Sequence, residues 1–255
     1  MALRNRGKKR IRGILFDKDG TLIDFNSIWI PLAFNLTDKL CNQYKLVNKD
    51  KAALLERIGI QSDGNILQNS IYASGTEEDI AEAFYIYIKE LETCPTEFDS
   101  VLKYVRYEIK TYMKSHESQI QSVQDAGRTL AALRKMGLTL GVSTSDNEEN
   151  TRVCLKATGL LKYFQYIGCP DDSRNPKPSG DILMDFGAKF SINPEEIAVV
   201  GDTATDIAFA KQNHAGLAIG VLSGAGYKED FNEAADYILP SIAGMICGDS
   251  PIWNL

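Results

Sequence analysis

Ile14-Leu15-Phe16-Asp17-Lys18-Asp19-Gly20-Thr21 is the stretch on which the fold turns. A short apolar run closes on an acidic turn, which reads as a buried strand ending where the carboxylates begin. Asp17 and Asp19 alternate, an arrangement that sends side chains to opposite faces inside a strand. At a strand terminus the backbone can re-aim one of them, and Gly20 permits the sharp turn this needs. Such a pair can hold a hard cation or serve as nucleophile and acid/base. An EF-hand loop shares the Asp-x-Asp-Gly pattern. With Gly20 at its glycine position, however, the first ligand would be Leu15 and the last Asn26, and neither is a carboxylate.

Beyond this strand the pattern changes. From about Ser27 to His116 helical periodicity takes over: Ile80, Phe84, Tyr87, Ile88 and Leu91 recur at helical spacing. So do Phe98, Val101, Leu102, Val105, Ile109, Tyr112 and Met113. Thr76-Glu-Glu-Asp79 and Thr96-Glu-Phe-Asp99 read as capping boxes, with Cys94-Pro95 between the two helices. Residues 25–119 carry 12 of the 23 aromatic side chains, enough bulk for a helical unit with its own small core.

After Ser122 strands and helices alternate. Helices are predicted over Asp125–Met136, Asn147–Ala157, Gly180–Phe190 and Ala204–His214. Strands are predicted over Leu138–Ser143, Gln165–Cys169, Ile197–Val200, Leu217–Val221 and Tyr237–Leu239. Alternation at this pitch builds βαβ units and a parallel sheet. The expected fold is therefore α/β: a Rossmann-like core from residues 1–25 and 120–255, with an all-α cap, residues 26–119, inserted after the first strand. An insertion there lies over the crevice where such sheets bind ligands.

Two further clusters follow apolar strands, so they can meet Asp17 at one sheet edge. Thr144 comes after Leu140-Gly-Val-Ser143, where a hydroxyl and the following N–H groups can bind phosphate oxygens, while Ser145 and Asp146 suit the start of the next helix. Gly201-Asp202-Thr203-Ala204-Thr205-Asp206 places one carboxylate at a strand end and a second in the first turn of a helix. Between them, Pro176 and Pro178 bracket Lys177 in a stiff loop, a plausible clamp for phosphate. Clustered carboxylates repel unless a divalent cation joins them, and Mg²⁺ prefers oxygen ligands of this kind.

The rest of the composition narrows the choice. At 255 residues, with 44% hydrophobic and 24% charged side chains, the chain has the makeup of a globular protein. A net charge of −6 argues against wholesale nucleic-acid binding, and no apolar run of spanning length suggests a membrane helix. Residues 1–12 hold six basic side chains and no acid, a segment read as a solvated tail without a secretory signal. Five scattered cysteines without a Cys-x-x-Cys pair suggest free thiols and a cytoplasmic location. His116 and His214 leave little scope for a histidine metal centre or a Ser-His-Asp relay.

With these residues in hand, the chain resembles the haloacid dehalogenase-like (HAD) hydrolase superfamily. Asp17-Lys-Asp19-Gly-Thr21, Thr144, Lys177 and Gly-Asp202-x-x-x-Asp206 follow the order of its four motifs. Ile219–Gly226 and Ala235–Pro240 also resemble the phosphoglycolate phosphatase-like branch. The resemblance implies Asp17 as nucleophile and Asp19 as acid and then base. It implies Mg²⁺ on the Asp17 side chain, the Asp19 carbonyl and Asp202, with Asp206 in support. Thr144, Ser145 and Lys177 would hold the phosphoryl group, Ser145 and Lys18 through backbone N–H groups; the Lys18 side chain is given no role. The presence of Asp19 disfavours a dehalogenase, because halide departure needs no acid. No lysine in the helical block suggests phosphonate cleavage. The implied activity is Mg²⁺-dependent hydrolysis of a small phosphorylated metabolite, phosphoglycolate-like or a phosphosugar. A phosphosugar mutase and a non-catalytic phosphate sensor or scaffold are the alternatives on the same fold. The sequence leaves the oligomeric state open.

Overall fold

The computed structural model describes residues 10–254 except 62–63, 68–69, 92–95, 172 and 232–233. Most of the basic N-terminal segment and Cys94-Pro95 therefore lie outside the described residues.

Six parallel strands run in the order β3-β2-β1-β4-β5-β6. They are β1 (Gly13–Phe16), β2 (Thr139–Ser143), β3 (Tyr166–Gly168), β4 (Ile197–Gly201), β5 (Leu217–Val221) and β6 (Tyr237–Leu239). Their ends lie within about a residue of the expected ones, because each is a short apolar run bounded by polar or glycine residues. β1 lies near the middle, with Leu15 opposite Gly141 on one side and Val199 on the other. The chain leaves β1 towards β2 and later returns to β4, so the strand order reverses between β1 and β4. Ligand crevices of doubly wound sheets open at such a reversal, beyond the carboxyl ends of the strands.

Among the described residues, the segment between β1 and β2 opens with five helices: α1 (Phe25–Gln43), α2 (Asn48–Ile58), α3 (Ile71–Ser74), α4 (Glu77–Glu90) and α5 (Phe98–Ser115). Asp24 caps α1 by accepting from the Asn26 N–H, so the helix starts immediately after the acidic turn. Thr76 and Asp79 form the expected capping box on α4. The second expected box is not made: α5 is capped at Glu97, without a side-chain bond. Phe98 instead packs edge-on against Tyr85 of α4, and this contact anchors the helix start. The apolar faces read from sequence are buried: Ile80, Phe84 and Ile88 on α4 meet Val101, Val105 and Ile109 on α5 within one core cluster.

The other sheet helices are α6 (Ala126–Lys135), α7 (Glu148–Ala157), α8 (Asp181–Phe190), α9 (Ala204–Gln212) and α10 (Lys228–Phe231). α6 and α7 pack on the sheet face shared with the helical insert, around Leu130, Leu133 and Leu155. α8 and α9 cover the opposite face through Phe186 and Phe209. Strand side chains alternate between the layers, with Ile14 and Phe16 in one cluster and Leu15 in the other. A two-stranded hairpin, β7 (Ile246–Cys247) with β8 (Ser250–Pro251), is followed by a 3-10 turn over Ile252–Asn254 that ends the described chain. Cys41, Cys154, Cys169 and Cys247 are free thiols. Among the described residues, no helix is long and apolar enough to cross a membrane.

Candidate active site

Asp17 is the first residue beyond β1, and its N–H still donates to the Val200 carbonyl of β4 at 2.8 Å. That bond holds it beside the end of β4, where Asp202 follows Gly201. Asp206 lies one helical turn on, in the first turn of α9, and shares a capping box with Thr203. Carboxylate oxygens of Asp17, Asp202 and Asp206 lie within 4.8 Å of one another, and all three residues are buried. Lys177 enters from the loop after β3, across a cis bond to Pro178. Its Nζ donates to Asp17 Oδ1 and to Asp206 Oδ1, both at 2.6 Å.

This crowding changes the acidities. Burial drives the Asp17 carboxyl up to about 7; Lys177 opposes the rise, while Asp206 and Asp19 add to it. Burial also raises Asp202 well above the carboxylate range, reinforced by Asp17 and Asp206. Lys177 is held above its ordinary value: burial alone would lower it, but Asp17 and Asp206 outweigh that. Three buried acids around one lysine leave negative charge in excess. Burial in this company pushes Asp17 and Asp202 towards their protonated forms. A divalent ion would displace those protons, and an all-oxygen carboxylate set suits Mg²⁺.

Asp202 is held by two hydrogen bonds. Thr21 Oγ1 donates to Oδ1 at 3.2 Å, and the Ala225 N–H donates to Oδ2 at 2.9 Å. Ser223 Oγ binds the Gly20 carbonyl at 2.7 Å, which draws the loop after β5 onto the acidic turn. Space there is tight: a Cβ on Gly20 would stand 2.4 Å from Asp202 Oδ2, and one on Gly224 only 2.0 Å from it. Gly20 also has a φ of +80°, which favours glycine on backbone grounds. The loop after β5 gave no site residue from sequence, because its contribution is closeness of backbone.

Asp19 is turned away from the carboxylate trio. Its Oδ1 accepts from Trp29 Nε1 at 2.5 Å, and its Oδ2 lies 2.8 Å from Lys18 Nζ. Burial raises its pKa, with Lys18 opposing. Lys18, to which the sequence assigned no side-chain role, is fully buried and bridges Asp19 to Asp146, the latter at 2.6 Å. Its ammonium also sits 4.9 Å from the centre of the Trp29 ring. Burial would lower the Lys18 pKa, but Asp146 and Asp19 raise it well above the ordinary value. The ion pair was hidden from sequence reading because Asp146 lies 128 positions away.

Thr144 is buried beyond β2, and its Oγ1 accepts from the Asp146 N–H at 3.1 Å. The helix start expected of Ser145 and Asp146 belongs instead to Asn147, whose side chain accepts from the Asn150 N–H. The other two are taken by tertiary partners: Ser145 Oγ donates to the Ser74 carbonyl at 3.1 Å, and Asp146 holds Lys18.

Asp17, Asp19, Thr144, Ser145, Lys177 and Asp206 all line one cavity of about 60 Å³. Asp202 is buried next to Asp17 and Asp206 and is not part of the lining. The opposite wall comes from the helical insert, with the rings of Phe25, Trp29 and Tyr72, the carboxylate of Glu77 and the side chains of Ile80 and Ile109. Trp29 and Tyr72 meet edge to face, as do Phe25 and Tyr72. Glu77 was missed from sequence: it begins α4, where an acid is explained by the helix dipole alone. Its Oε1 accepts from Asn147 Nδ2 at 2.8 Å and from Asn150 Nδ2 at 3.2 Å, so it ties the insert to α7. Burial and the charge of Asp146 push its pKa up to about 7 against Arg106 and the two amides.

Residues 14–219 match the family model for haloacid dehalogenase-like hydrolases. The chain is similar to a pyrophosphatase PpaX of Bacillus mycoides, with 24% identity over 93% of this chain and 96% of that one. It is similar to a phosphoglycolate phosphatase of Chromobacterium violaceum, with 27% identity over 92% of this chain and 95% of that one. The phosphoglycolate phosphatase of Escherichia coli is 26% identical, over 91% and 88% of the two chains. Among solved structures, a predicted phosphoglycolate phosphatase from Haemophilus somnus superposes with a TM-score of 0.71 at 22% identity, covering 94% of this chain and 98% of that one. A HAD phosphatase from Thermococcus onnurineus gives 0.65 at 21% identity, covering 92% and 96%.

Proposed function

The chain belongs to the haloacid dehalogenase-like hydrolase family and is a phosphatase, and from that premise we propose that it hydrolyses a small phosphate monoester through an aspartyl-phosphate with Mg²⁺ as cofactor. Asp17 is the nucleophile: an oxygen of its carboxylate attacks phosphorus as the bond to the leaving oxygen breaks. Asp19 gives a proton to that oxygen, releasing the alcohol, and later takes a proton from the water that cleaves the acyl phosphate. Microscopic balance is kept, since Asp19 ends protonated and Asp17 free, as at the start.

Asp17, Asp202 and the Asp19 carbonyl would hold Mg²⁺, which when bound offsets the charge of the phosphoryl group against the carboxylates. Lys177 and Thr144 hold the phosphoryl oxygens, with the backbone after Thr144 at Ser145 completing the cradle. Asp206 keeps Lys177 in place. Residues 26–119 act as a cap that closes the cavity over the leaving group. The substrate is drawn from short phosphate monoesters in the size range of phosphoglycolate and the small phosphosugars.

The observation that supports this reading best is the meeting of Asp17, Asp202 and Asp206 around Lys177 at the reversal of strand order, with Asp19 and Thr144 on the same cavity. The test is phosphate release from a panel of small esters, with Mg²⁺ and with EDTA, for the parent and Asp17→Asn. The expected result is release that needs Mg²⁺ and falls roughly a thousandfold or more in the variant. A folded, Mg²⁺-binding parent that releases phosphate from nothing would overturn the proposal.

A further inference from the structure

Among the described residues, the wall that faces the leaving group offers no cation to a second anion. Among the described lining residues the only ammonium is Lys177, and it is committed to Asp17 and Asp206. Lys18 lies behind the wall, fully buried between Asp19 and Asp146. Arg106 on the insert approaches the lining residue Glu77 and is spent on Glu78 at 2.6 Å and Glu77 at 3.7 Å. Lys110 pairs with Glu149. Arg12, near the start of the described chain, pairs with Glu196 at the opposite edge of the sheet.

Side-chain donors among the described residues of this wall are taken as well. Trp29 Nε1 serves Asp19, and the Tyr72 hydroxyl donates to the Trp29 carbonyl at 2.5 Å. Ser145 Oγ serves Ser74, and Thr76 gives both its N–H and its hydroxyl to Asp79. The N-terminus of α4 points its dipole toward this region, but Glu77, Glu78 and Asp79 already occupy its first turn. The rest of the described insert wall is three aromatic rings, two isoleucines, Ala73, Gly75 and Glu77, with Thr205 lining the cavity from α9. A carboxylate or second phosphate on the leaving group would be desolvated against these with no compensating charge, which is costly. The cavity, about 60 Å³, has room for only about four to six water-sized groups, so a short substrate fits without remodelling.

Resting on the phosphatase reading above, we infer that the leaving group is a short alcohol without a second anionic group, and that Glu77 is the residue that enforces this choice. The inference separates this chain from relatives named for phosphoglycolate and pyrophosphate, whose leaving groups are anions. Uncharged hydroxyl-bearing alcohols fit, because they need no charge partner and can donate to Glu77.

Three esters of similar size isolate the charge: 2-hydroxyethyl phosphate, phosphoglycolate and phosphoethanolamine, assayed for kcat/KM in Mg²⁺ at pH 8 beside pyrophosphate. The expected result is that the neutral and ammonium esters exceed phosphoglycolate and pyrophosphate by about tenfold or more. In Glu77→Gln the gap to phosphoglycolate should narrow severalfold while the neutral ester changes less. Phosphoglycolate or pyrophosphate matching or beating the neutral ester in the parent would overturn the inference while leaving the phosphatase reading intact. A gap that persists unchanged in Glu77→Gln would overturn the role given to Glu77. Release from none of the esters would count against the phosphatase reading itself. Should Glu77→Gln fail to fold, judged by circular dichroism, Glu77→Asp carries the same comparison, with the narrowing expected to be smaller.

Discussion

Trp29 Nε1 donates to Asp19 Oδ1 at 2.5 Å, so an indole on the first inserted helix holds a carboxylate on the turn after the first strand. The bond ties the position of Asp19 to the seating of α1. Trp29→Phe keeps the ring among Phe25 and Tyr72 and removes only the donor. A hydrogen bond to a charged group contributes about 1.5–3 kcal/mol, so kcat should fall roughly tenfold or more. The thermal midpoint should move little, unlike that of Trp29→Ala. An unchanged kcat in Trp29→Phe would mean the bond has no part in catalysis.

Lys177 presents the opposite case, a cation whose removal leaves charge behind. Its side chain is 4% exposed and its two acceptors are buried acids. Lys177→Met should cost roughly 3–5 kcal/mol in urea unfolding with EDTA present. Adding Asp206→Asn should return part of that loss, because one of the stranded carboxylates is then neutral. Additive losses in the double variant would show that the two groups are not coupled.

Gly224→Ala tests the backbone packed against Asp202. A methyl there stands 2.0 Å from Asp202 Oδ2 and 2.7 Å from Gly20 Cα, so the carboxylate must shift. The Mg²⁺ concentration for half-maximal activity should rise about tenfold or more, equivalent to roughly 1.4 kcal/mol of binding. A Mg²⁺ titration that overlays the parent curve would place Asp202 outside the metal site.

Glu77 supplies a pH dependence. Burial, and then Asp146, raise it from 4.5 to about 7, so between those values the folded chain holds a proton that the unfolded chain has lost. Stability from this group is therefore fully present below pH 4.5, falls as pH rises and levels off above about 7. Glu77→Gln does not titrate, so its stability relative to the parent should improve by about 2–3 kcal/mol from pH 4.5 to pH 8. Guanidinium melts of both proteins at the two pH values check this. A difference independent of pH would contradict the raised acidity.

The sheet was legible because each strand is a short apolar run with polar or glycine borders. Asp17, Thr144 and Asp202 were legible as candidates because each stands directly after such a run, and Lys177 because two prolines bracket it. The side chains that surround Asp19 were not legible. Lys18 sits between two acids in sequence, yet its strongest partner is Asp146, and only the pairing of β1 with β2 brings the two together. Trp29 and Glu77 look like an ordinary core aromatic and an ordinary helix-start acid, and only tertiary packing distinguishes them. The cap read at Thr96 is not made either: α5 begins at Phe98, whose ring packs on Tyr85, a partner that local sequence does not show.

The central place of β1 has a consequence for how the chain is made. Gly13 pairs with Thr139 and Ile197, so the strand that carries Asp17 leaves the ribosome long before either neighbour exists. At about 5–20 residues per second, it waits several seconds or more for β2 and longer for β4. The five inserted helices are synthesised during that interval, and their contacts are largely local ones. The newborn chain can therefore assemble the helical layer first, with an apolar strand still unpaired at its edge. Competence arrives late, when β4 completes the sheet and brings Asp202 to Asp17. A nascent chain arrested before that point would carry the motif that begins at Asp17 and none of the chemistry.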